Sequence, residues 1–268
     1  MLVSRRVARR MVGVFGAIVL GVGLQTTSAG AQPSGTNTCH GGAVTAGTYR
    51  ALTIAGFCTL DAGSVTVTGN ATLQAGSALV AEFGSSDLTV RGNLMVGSGA
   101  ILLLGCHPVH GPCLDDPTAT THDSIGGNLI ASGALMVVVG VTTIGGNVIQ
   151  SGGGGGVTCD LFPLPVPNGP PAYSTYADDT ISGNLIVTGL RSCYMGLTRD
   201  TVLRNIIFNG NVVADPDGNE IVLNQVRGNL ICVANSPAPQ VGDSPQENPD
   251  GTQNTIGGHR IGQCAQLP

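Results

Sequence analysis

Short apolar stretches, each broken by glycine, recur through the middle of the chain. Within each stretch Val, Ile, Leu or Ala alternates with another residue over a few positions, which is the pattern of a short β-strand. Helices are disfavoured because the chain contains 42 glycines among 268 residues, more than helix interiors tolerate. The sequence therefore predicts an all-β fold.

One motif, Gly-Asn-apolar-x-apolar, marks a repeat. It begins at residues 69, 92, 127, 146, 183, 210 and 228, and a degenerate last copy begins at 257. The short steps set a period of about 18–23 residues, and each longer step equals one period plus a loop. Three apolar segments between 127 and 145 are typical of one β-helix coil. We predict a single-stranded β-helix (β-solenoid) of about 18–23 residues per coil, with loop insertions at about 105–123 and 152–180.

We interpret the Gly-Asn pairs as corners between strands. Glycine adopts a positive φ without strain, and an asparagine can bond to the asparagine of the next coil, about 4.8 Å away. We expect an internal ladder of Asn93, Asn128, Asn147, Asn184, Asn211 and Asn229. The alternative is that these asparagines bind a ligand at the surface, but their repetition in every coil favours the architectural role.

The N-terminus has the order of a secretory signal peptide. Four arginines within residues 5–10 precede an apolar run from Met11 to Leu24, and a small-residue cleavage site ends at Ala31. The run is about 14 residues long, whereas a membrane span needs about 20. We expect residues 1–31 to be removed and 32–268 to be secreted without membrane insertion. General secretory export is favoured over the twin-arginine route, because the hydrophobic residue that usually follows the arginine pair is absent.

The net charge of the chain limits the kinds of partner that it can attract. Residues 32–268 carry seven arginines and all sixteen acidic residues, a net charge of −9, with no lysine. Such a surface does not attract nucleic acid or anionic lipid. A polar, proline-containing segment at about 234–268 ends the chain, and we expect part of it to cap the last coil.

Eight cysteines follow the cleavage site, which in an oxidising compartment predicts disulfides. Eight cysteines allow 105 connectivities, so the sequence alone does not select one. Neighbour pairing is our prediction: Cys39 with Cys58, Cys106 with Cys113, Cys159 with Cys193, and Cys232 with Cys264. The first two cysteines are 19 residues apart, one coil, so stacking can bring them within bonding distance.

Repeats such as Gly92-Asn93-Leu94-Met95-Val96 resemble those of the bactofilin-type, polymer-forming β-helix proteins over roughly residues 65–232. The resemblance implies a stack of coils and polymerisation end to end. Bactofilins are cytoplasmic and lack disulfides, and this chain departs from them on both points. Pectate-lyase-like β-helices resemble it by architecture only.

Two local clusters could bind metal ions. Cys106, His107, His110 and Cys113 are residue types that ligate zinc, but a disulfide would consume both thiolates. The segment Asp215–Glu220 has oxygen ligands at alternate positions, but not the spacing of an EF-hand loop. We favour a disulfide in the first and an Asp-Gly turn in the second, and we predict no metal or cofactor.

The function expected from these patterns is that of a secreted, non-enzymatic envelope, surface or matrix component. Its partners would be cell-wall or extracellular polysaccharide, or further copies of itself. The alternative is a carbohydrate-binding or carbohydrate-active β-helix, such as a lyase or hydrolase. That alternative requires Asp178, Asp179, Arg191 and Tyr194 to converge on one face, because a glycosidase holds two carboxyls across a cleft.

Overall fold

The computed structural model describes residues 35–61, 63–109, 111–161, 171–242 and 253–267. These residues form a β-helix with three long parallel sheets. Sheet A contains β1 (Thr36–Cys39), β4 (Ala51–Ile54), β7 (Ala71–Leu73), β10 (Leu94–Val96), β13 (Leu129–Ser132), β16 (Val148–Ser151), β19 (Leu185–Thr188), β23 (Ile206–Asn209), β27 (Leu230–Val233) and β29 (Arg260–Gly262).

The other two long sheets complete each coil. Sheet B contains β2 (Gly42–Ala43), β5 (Phe57–Thr59), β8 (Ala78–Ala81), β11 (Ile101–Leu104), β14 (Met136–Gly140), β17 (Tyr173–Ala177), β21 (Tyr194–Thr198) and β25 (Asn219–Val222). Sheet C contains β3 (Gly47–Tyr49), β6 (Val65–Val67), β9 (Leu88–Val90), β12 (Ser124–Ile125), β15 (Thr143–Ile144), β18 (Thr180–Ile181), β22 (Thr201–Val202), β26 (Gln225–Val226) and β28 (Thr255–Ile256). A small fourth sheet pairs β20 (Arg191–Ser192) with β24 (Val212–Val213), and one 3-10 helix spans Gln263–Gln266.

Each coil contributes one strand to sheet A, then one to sheet B and one to sheet C. Paired residues lie 19 positions apart between Leu129 and Val148, and 37 apart between Val148 and Leu185. The second interval contains an insertion, but the register on either side of it is kept. The β-helix predicted from the repeat is confirmed.

Alternation within the strands separates interior from exterior. In sheet A the residues at one set of positions, such as Leu94, Leu129 and Leu185, have no exposed surface, whereas their neighbours in sequence are half-buried. The interior residues of the three sheets form one continuous core along the described part of the helix axis. A single coil could not enclose these side chains, so each coil depends on the next.

The corner from sheet C to sheet A has a fixed length. From the second coil onward it is always three residues, such as Gly145-Gly146-Asn147 between β15 and β16. A β-carbon at Gly146 would lie 2.5 Å from Asn128 Oδ1 and 2.7 Å from the carbonyl oxygen of Gly127. We expected these glycines to supply positive φ, and this was wrong, since Gly92, Gly127 and Gly146 do not have it. Glycine is favoured at this position because the backbones of stacked coils approach closely, although the coil of β23 has Arg204 there.

The described insertions lie between a sheet A strand and the next sheet C strand, on either side of sheet B. Residues 105–123 separate β11 from β12, as predicted, and residues 152–172 separate β16 from β17. The second insertion is shorter than the expected 152–180, because Tyr173–Ala177 and Thr180–Ile181 are strands. Their inward residues include Ser174 and Tyr176, which hid the aliphatic alternation.

The C-terminal segment does more than cap the helix. Ser236 pairs with Val212, and Gln240 pairs with Glu220, both in parallel. The segment therefore continues the stack beyond β24 and β25. Strands β28 and β29 then add two further strands to sheets C and A, and the 3-10 helix closes the end with Leu267 buried.

Four disulfides follow the predicted neighbour pairing. Cys39–Cys58, Cys106–Cys113, Cys159–Cys193 and Cys232–Cys264 include all eight cysteines. The first joins consecutive coils, the second closes a loop within the 105–123 insertion, the third ties the 152–172 insertion to β21, and the fourth ties β27 to the 3-10 helix.

The predicted signal peptide, residues 1–31, lies outside the described residues. Among those that are described, no helix is long and apolar enough to cross a membrane.

We expect Gly146→Ala to destabilise the protein by about 1–3 kcal/mol, because the new methyl group would meet backbone atoms that cannot move aside. Chemical denaturation measures the change. Gly111→Ala is the matched control, since a β-carbon there has no atom within 4 Å. Equal stability of the two variants would contradict this account of the corner.

Candidate functional site

The asparagine ladder at the corner from sheet C to sheet A links neighbouring coils. Each Oδ1 accepts the backbone N–H of the asparagine in the next coil, for example Asn147 N to Asn128 Oδ1 at 2.8 Å, and the side-chain amide adds a bond at 3.1 Å. The ladder runs through Asn70, Asn93, Asn128, Asn147, Asn184, Asn205 and Asn229, and Asn229 accepts His259 N. The residues are half-buried or exposed, so the ladder is a lateral seam and not an internal one.

Asn211 does not belong to this ladder, and that part of the prediction was wrong. The ladder position of its coil is Asn205, which follows Arg204 and therefore escapes a search for Gly-Asn. Gly210 instead begins the corner from sheet A toward sheet B with φ 65°. Asn211 is fully buried there and joins Asn235 and Gln263 in a second ladder.

A third ladder lies at the corner from sheet B to sheet C, where sequence analysis predicted nothing. Each later coil turns there through a residue of positive φ, such as Arg199 or Leu223, followed by a buried polar residue. Asn224 Oδ1 accepts Asp200 N, and its Nδ2 donates to Leu197 O at 2.8 Å. Asn254 repeats this geometry on Ile221 O. The amide thus bonds upward and downward along the stack.

Aspartates occupy the same position in other coils. The residues are Asp123, Asp179 and Asp200. In each, Oδ1 accepts a backbone N–H as an asparagine Oδ1 does, whereas the buried Oδ2 has no hydrogen-bond partner. Asn224 Nδ2 donates to the carbonyl oxygen of Leu197 in the preceding coil. Asp200 lies one coil earlier than Asn224, and Tyr176, one coil earlier than Leu197, pairs with it. The register therefore places Asp200 Oδ2 opposite the carbonyl oxygen of Tyr176. Two oxygens bond only through a proton, so this arrangement favours the neutral form of these carboxyls in the folded protein.

The pKa values of these three aspartates agree with this interpretation. Burial raises the pKa of Asp123 to about 7 and that of Asp200 to about 8. The pKa of Asp179 is raised well above its ordinary value by burial and by the neighbouring charge of Asp200. Asp178, beside them, is different: its carboxylate accepts two hydrogen bonds from Arg199, at 2.8 and 2.9 Å.

The exterior faces of sheets A and C carry columns in which similar side chains recur. Each residue of a column pairs directly with the residue one coil away. The central outward column of sheet A is Thr38, Thr53, Thr72, Met95, Ile130, Ile149, Ile186, Ile207, Ile231 and Ile261. That of sheet C is Thr48, Thr66, Thr89, Ser124, Thr143, Thr180, Thr201, Gln225 and Thr255. One face is therefore aliphatic over most of its length, and the other is lined with hydroxyl groups.

A small cleft of about 70 Å³ lies on the outer face of sheet B, beneath the Cys106–Cys113 loop. Glu82 and His107 line it together with Val138, Thr175 and Asp178. Burial raises the pKa of Glu82 to about 7. The strand register of sheet B places Glu82 and Asp178 three coils apart, which is about 14 Å between their Cα atoms. The cleft therefore does not bring two carboxyls together as a glycosidase requires.

The two candidate metal clusters are used structurally. Cys106 and Cys113 form a disulfide, and His110 lies outside the described residues. Asp215 bonds the backbone of Asp217 in a turn, as expected, and Glu220 is buried and accepts a hydrogen bond from Tyr194. Among the residues that the structure describes, no group of three or more His, Cys, Asp or Glu side chains is placed to hold a metal ion.

A carbohydrate-active site would require four residues to converge on one face, and they do not: Asp178, Asp179, Arg191 and Tyr194. Asp178 follows the last residue of β17, whereas Tyr194 begins β21, paired with Tyr173. Five residues of extended chain separate those two edges of sheet B, about 16 Å. Asp179 is buried, and Arg191 lies at the opposite corner. That prediction was wrong because it counted residues in sequence and not position around the coil.

Comparison with known proteins gave no relative: no family model, no curated protein and no solved structure matches the chain.

We expect the folded protein to lose stability as the pH rises. A group whose pKa is higher in the folded state than in the unfolded state stabilises the folded state. Its full contribution is present at pH values below the pKa of the unfolded chain, which is about 4 for Asp. That contribution is lost as the pH rises through about 7 for Asp123 and about 8 for Asp200. Each such group contributes about 1.4 kcal/mol per pH unit within its window. Urea unfolding at pH 5 and pH 8.5 measures the difference.

Asp200→Asn tests the assignment to this ladder. Its new amide can donate where the Asp200 Oδ2 has no partner, so the variant should be more stable than the parent at pH 8.5 and show a weaker pH dependence. Asp217→Asn, on an exposed turn, removes the same charge and should leave the pH dependence unchanged. Identical behaviour of the two variants would exclude a protonated ladder.

Proposed function

We propose that the protein is a secreted, non-enzymatic β-helix that serves as a component of the cell envelope, the cell surface or the extracellular matrix. The observation that carries the proposal is the pair of uninterrupted outward columns on sheets A and C. The sheet A column is aliphatic over seven consecutive coils, and the sheet C column is polar throughout, with one side chain per coil, about every 4.8 Å. Repetition suits an extended partner or a neighbouring molecule, because a small substrate uses only one position of such an array.

The bonding between coils supports a mechanical role. Three side-chain ladders and four disulfides connect coils and loops along the described helix. Disulfides are compatible with an oxidising compartment. The acidic charge of residues 32–268 keeps the surface away from nucleic acid and anionic lipid.

Fractionation of the producing cells tests the proposal. We expect the protein in the envelope or matrix fraction, with residues 1–31 removed, and retained there after a high-salt wash, because the repeated columns are uncharged. Mass spectrometry of the N-terminus measures the processing, and immunodetection measures the distribution. A full-length protein in the cytoplasmic fraction would refute secretion and the proposed role together.

Polysaccharide binding is the second candidate, and one observation favours it. Tyr173 and Tyr194 are paired residues on the outer side of sheet B, where neighbouring aromatic rings can pack against sugars. Co-sedimentation with the producer's cell wall and a panel of insoluble polysaccharides separates the two candidates. Saturable pelleting that Tyr173→Ala weakens, and Thr143→Ala on sheet C does not, would favour this candidate. Failure to pellet with every polysaccharide would exclude it.

A further inference from the structure

The outer face of sheet A carries an aliphatic column, one of the two columns on which the proposed function rests. Met95 is followed by six isoleucines, one per coil, from Ile130 to Ile261. Their side chains are half-buried along the column, and Ile261 at its end is 41% exposed. Threonine occupies the same position in the three preceding coils. The apolar part of the face thus covers seven consecutive coils.

The columns on either side are uncharged. The asparagine ladder borders the aliphatic column on one side, and small polar residues such as Ser132, Ser151 and Thr188 border it on the other. The chain contains sixteen acidic residues, yet none of them is in a described strand of sheet A. Arg260, the one charged residue in these strands, pairs with the interior residue Leu230 and is not part of the outward column.

No described insertion crosses this face. The 105–123 segment runs from sheet B to sheet C, and the 152–172 segment leaves the end of β16 in sheet A and enters sheet B. The corner between sheets C and A holds three residues in each coil from the second onward. Seven coils span about 30 Å, and three outward residues across a strand span about 13 Å. The resulting strip, with its polar borders, covers about 400 Å² on each copy and about 800 Å² over both, below the roughly 1,000 Å² of a stable interface, and it therefore fits a weak, reversible association.

We propose that two copies of this chain pair side by side through sheet A, with their aliphatic columns in contact. A second copy has the same coil spacing, so its isoleucines can fit between those of the first along the whole column, as in stacked β-sheets. The face lacks acidic residues, so two acidic chains can approach there without like charges meeting. A two-fold axis relates the copies, because each contributes the same patch. Sugar is a poorer occupant, since no aromatic residue lies in the outward column.

Sedimentation velocity of the disulfide-bonded protein, over about a hundredfold range of concentration, tests the proposal. We expect a reversible dimer that persists at high salt, because the contact is apolar. Ile149→Glu and Ile186→Glu place a charge at the centre of the face in both copies, and each should raise the dimer dissociation constant at least tenfold. Far-UV circular dichroism and thermal unfolding establish that the variants fold.

The matched controls are Thr143→Glu and Thr180→Glu. They place the same charge in the outward column of sheet C and should leave the dimer unchanged. Thr143 lies in the coil immediately before that of Ile149, and Thr180 lies in the coil immediately before that of Ile186. A parent protein that remains monomeric at the highest concentration would overturn the proposal. A dimer that the isoleucine variants do not weaken, or that the threonine variants weaken equally, would also overturn it. Neither result depends on where the protein resides in the cell, so the proposed function is tested separately.

Discussion

The close approach of consecutive coils at the corner between sheets C and A is the constraint on which the rest of the structure depends. Glycine brings the backbones together, and the asparagine that follows accepts the N–H of the next coil. Because this turn is made in three residues each time, it fixes the coil spacing and the register of all three sheets. Sequence variation is then confined to other parts of the coil, and every described insertion enters beside sheet B.

The fold could be predicted from sequence because this constraint leaves a visible motif. A Gly-Asn pair followed by alternating apolar residues marks one corner of nearly every coil, and the predicted neighbour pairing of the cysteines agrees with the four disulfides. The ladder at that corner was predicted only in part: Asn70 and Asn205 were left out, Asn211 was included, and the ladder is lateral and not internal. Arg204-Asn205 lacks the glycine, while Gly210-Asn211 has the motif but occupies a different corner. The same dipeptide therefore serves two geometries, close approach in one and positive φ in the other, and only the register distinguishes them.

The ladder between sheets B and C could not be found in this way, because its members are Asn in some coils and Asp or Thr in others. Thr142 and Asp179 occupy equivalent positions, and no short motif joins them. The shared signal is a pair of residues after the sheet B strand, the first with positive φ and the second buried. A side chain in that place must accept a backbone N–H of the preceding coil and donate to a carbonyl oxygen of that same preceding coil. Asparagine does so at any pH, whereas aspartate does so only when it carries a proton.

The exterior is less constrained than the interior, so its regularity bears on function. Core columns must be apolar in all three sheets, but β-branched residues would satisfy strand propensity equally well on either exposed face. From Ile130 onward, however, sheet A has isoleucine in six consecutive coils, whereas sheet C keeps polar residues, mostly threonine, throughout. Strand propensity does not explain that difference, because it would mix the two residue types on both faces. An uncharged aliphatic column that no described insertion covers leaves apolar surface at the exterior although its side chains are half-buried, and contiguous apolar patches on soluble folds often mark surfaces that contact another molecule. The separation of isoleucine from threonine therefore favours sheet A over sheet C as the face that contacts a second copy.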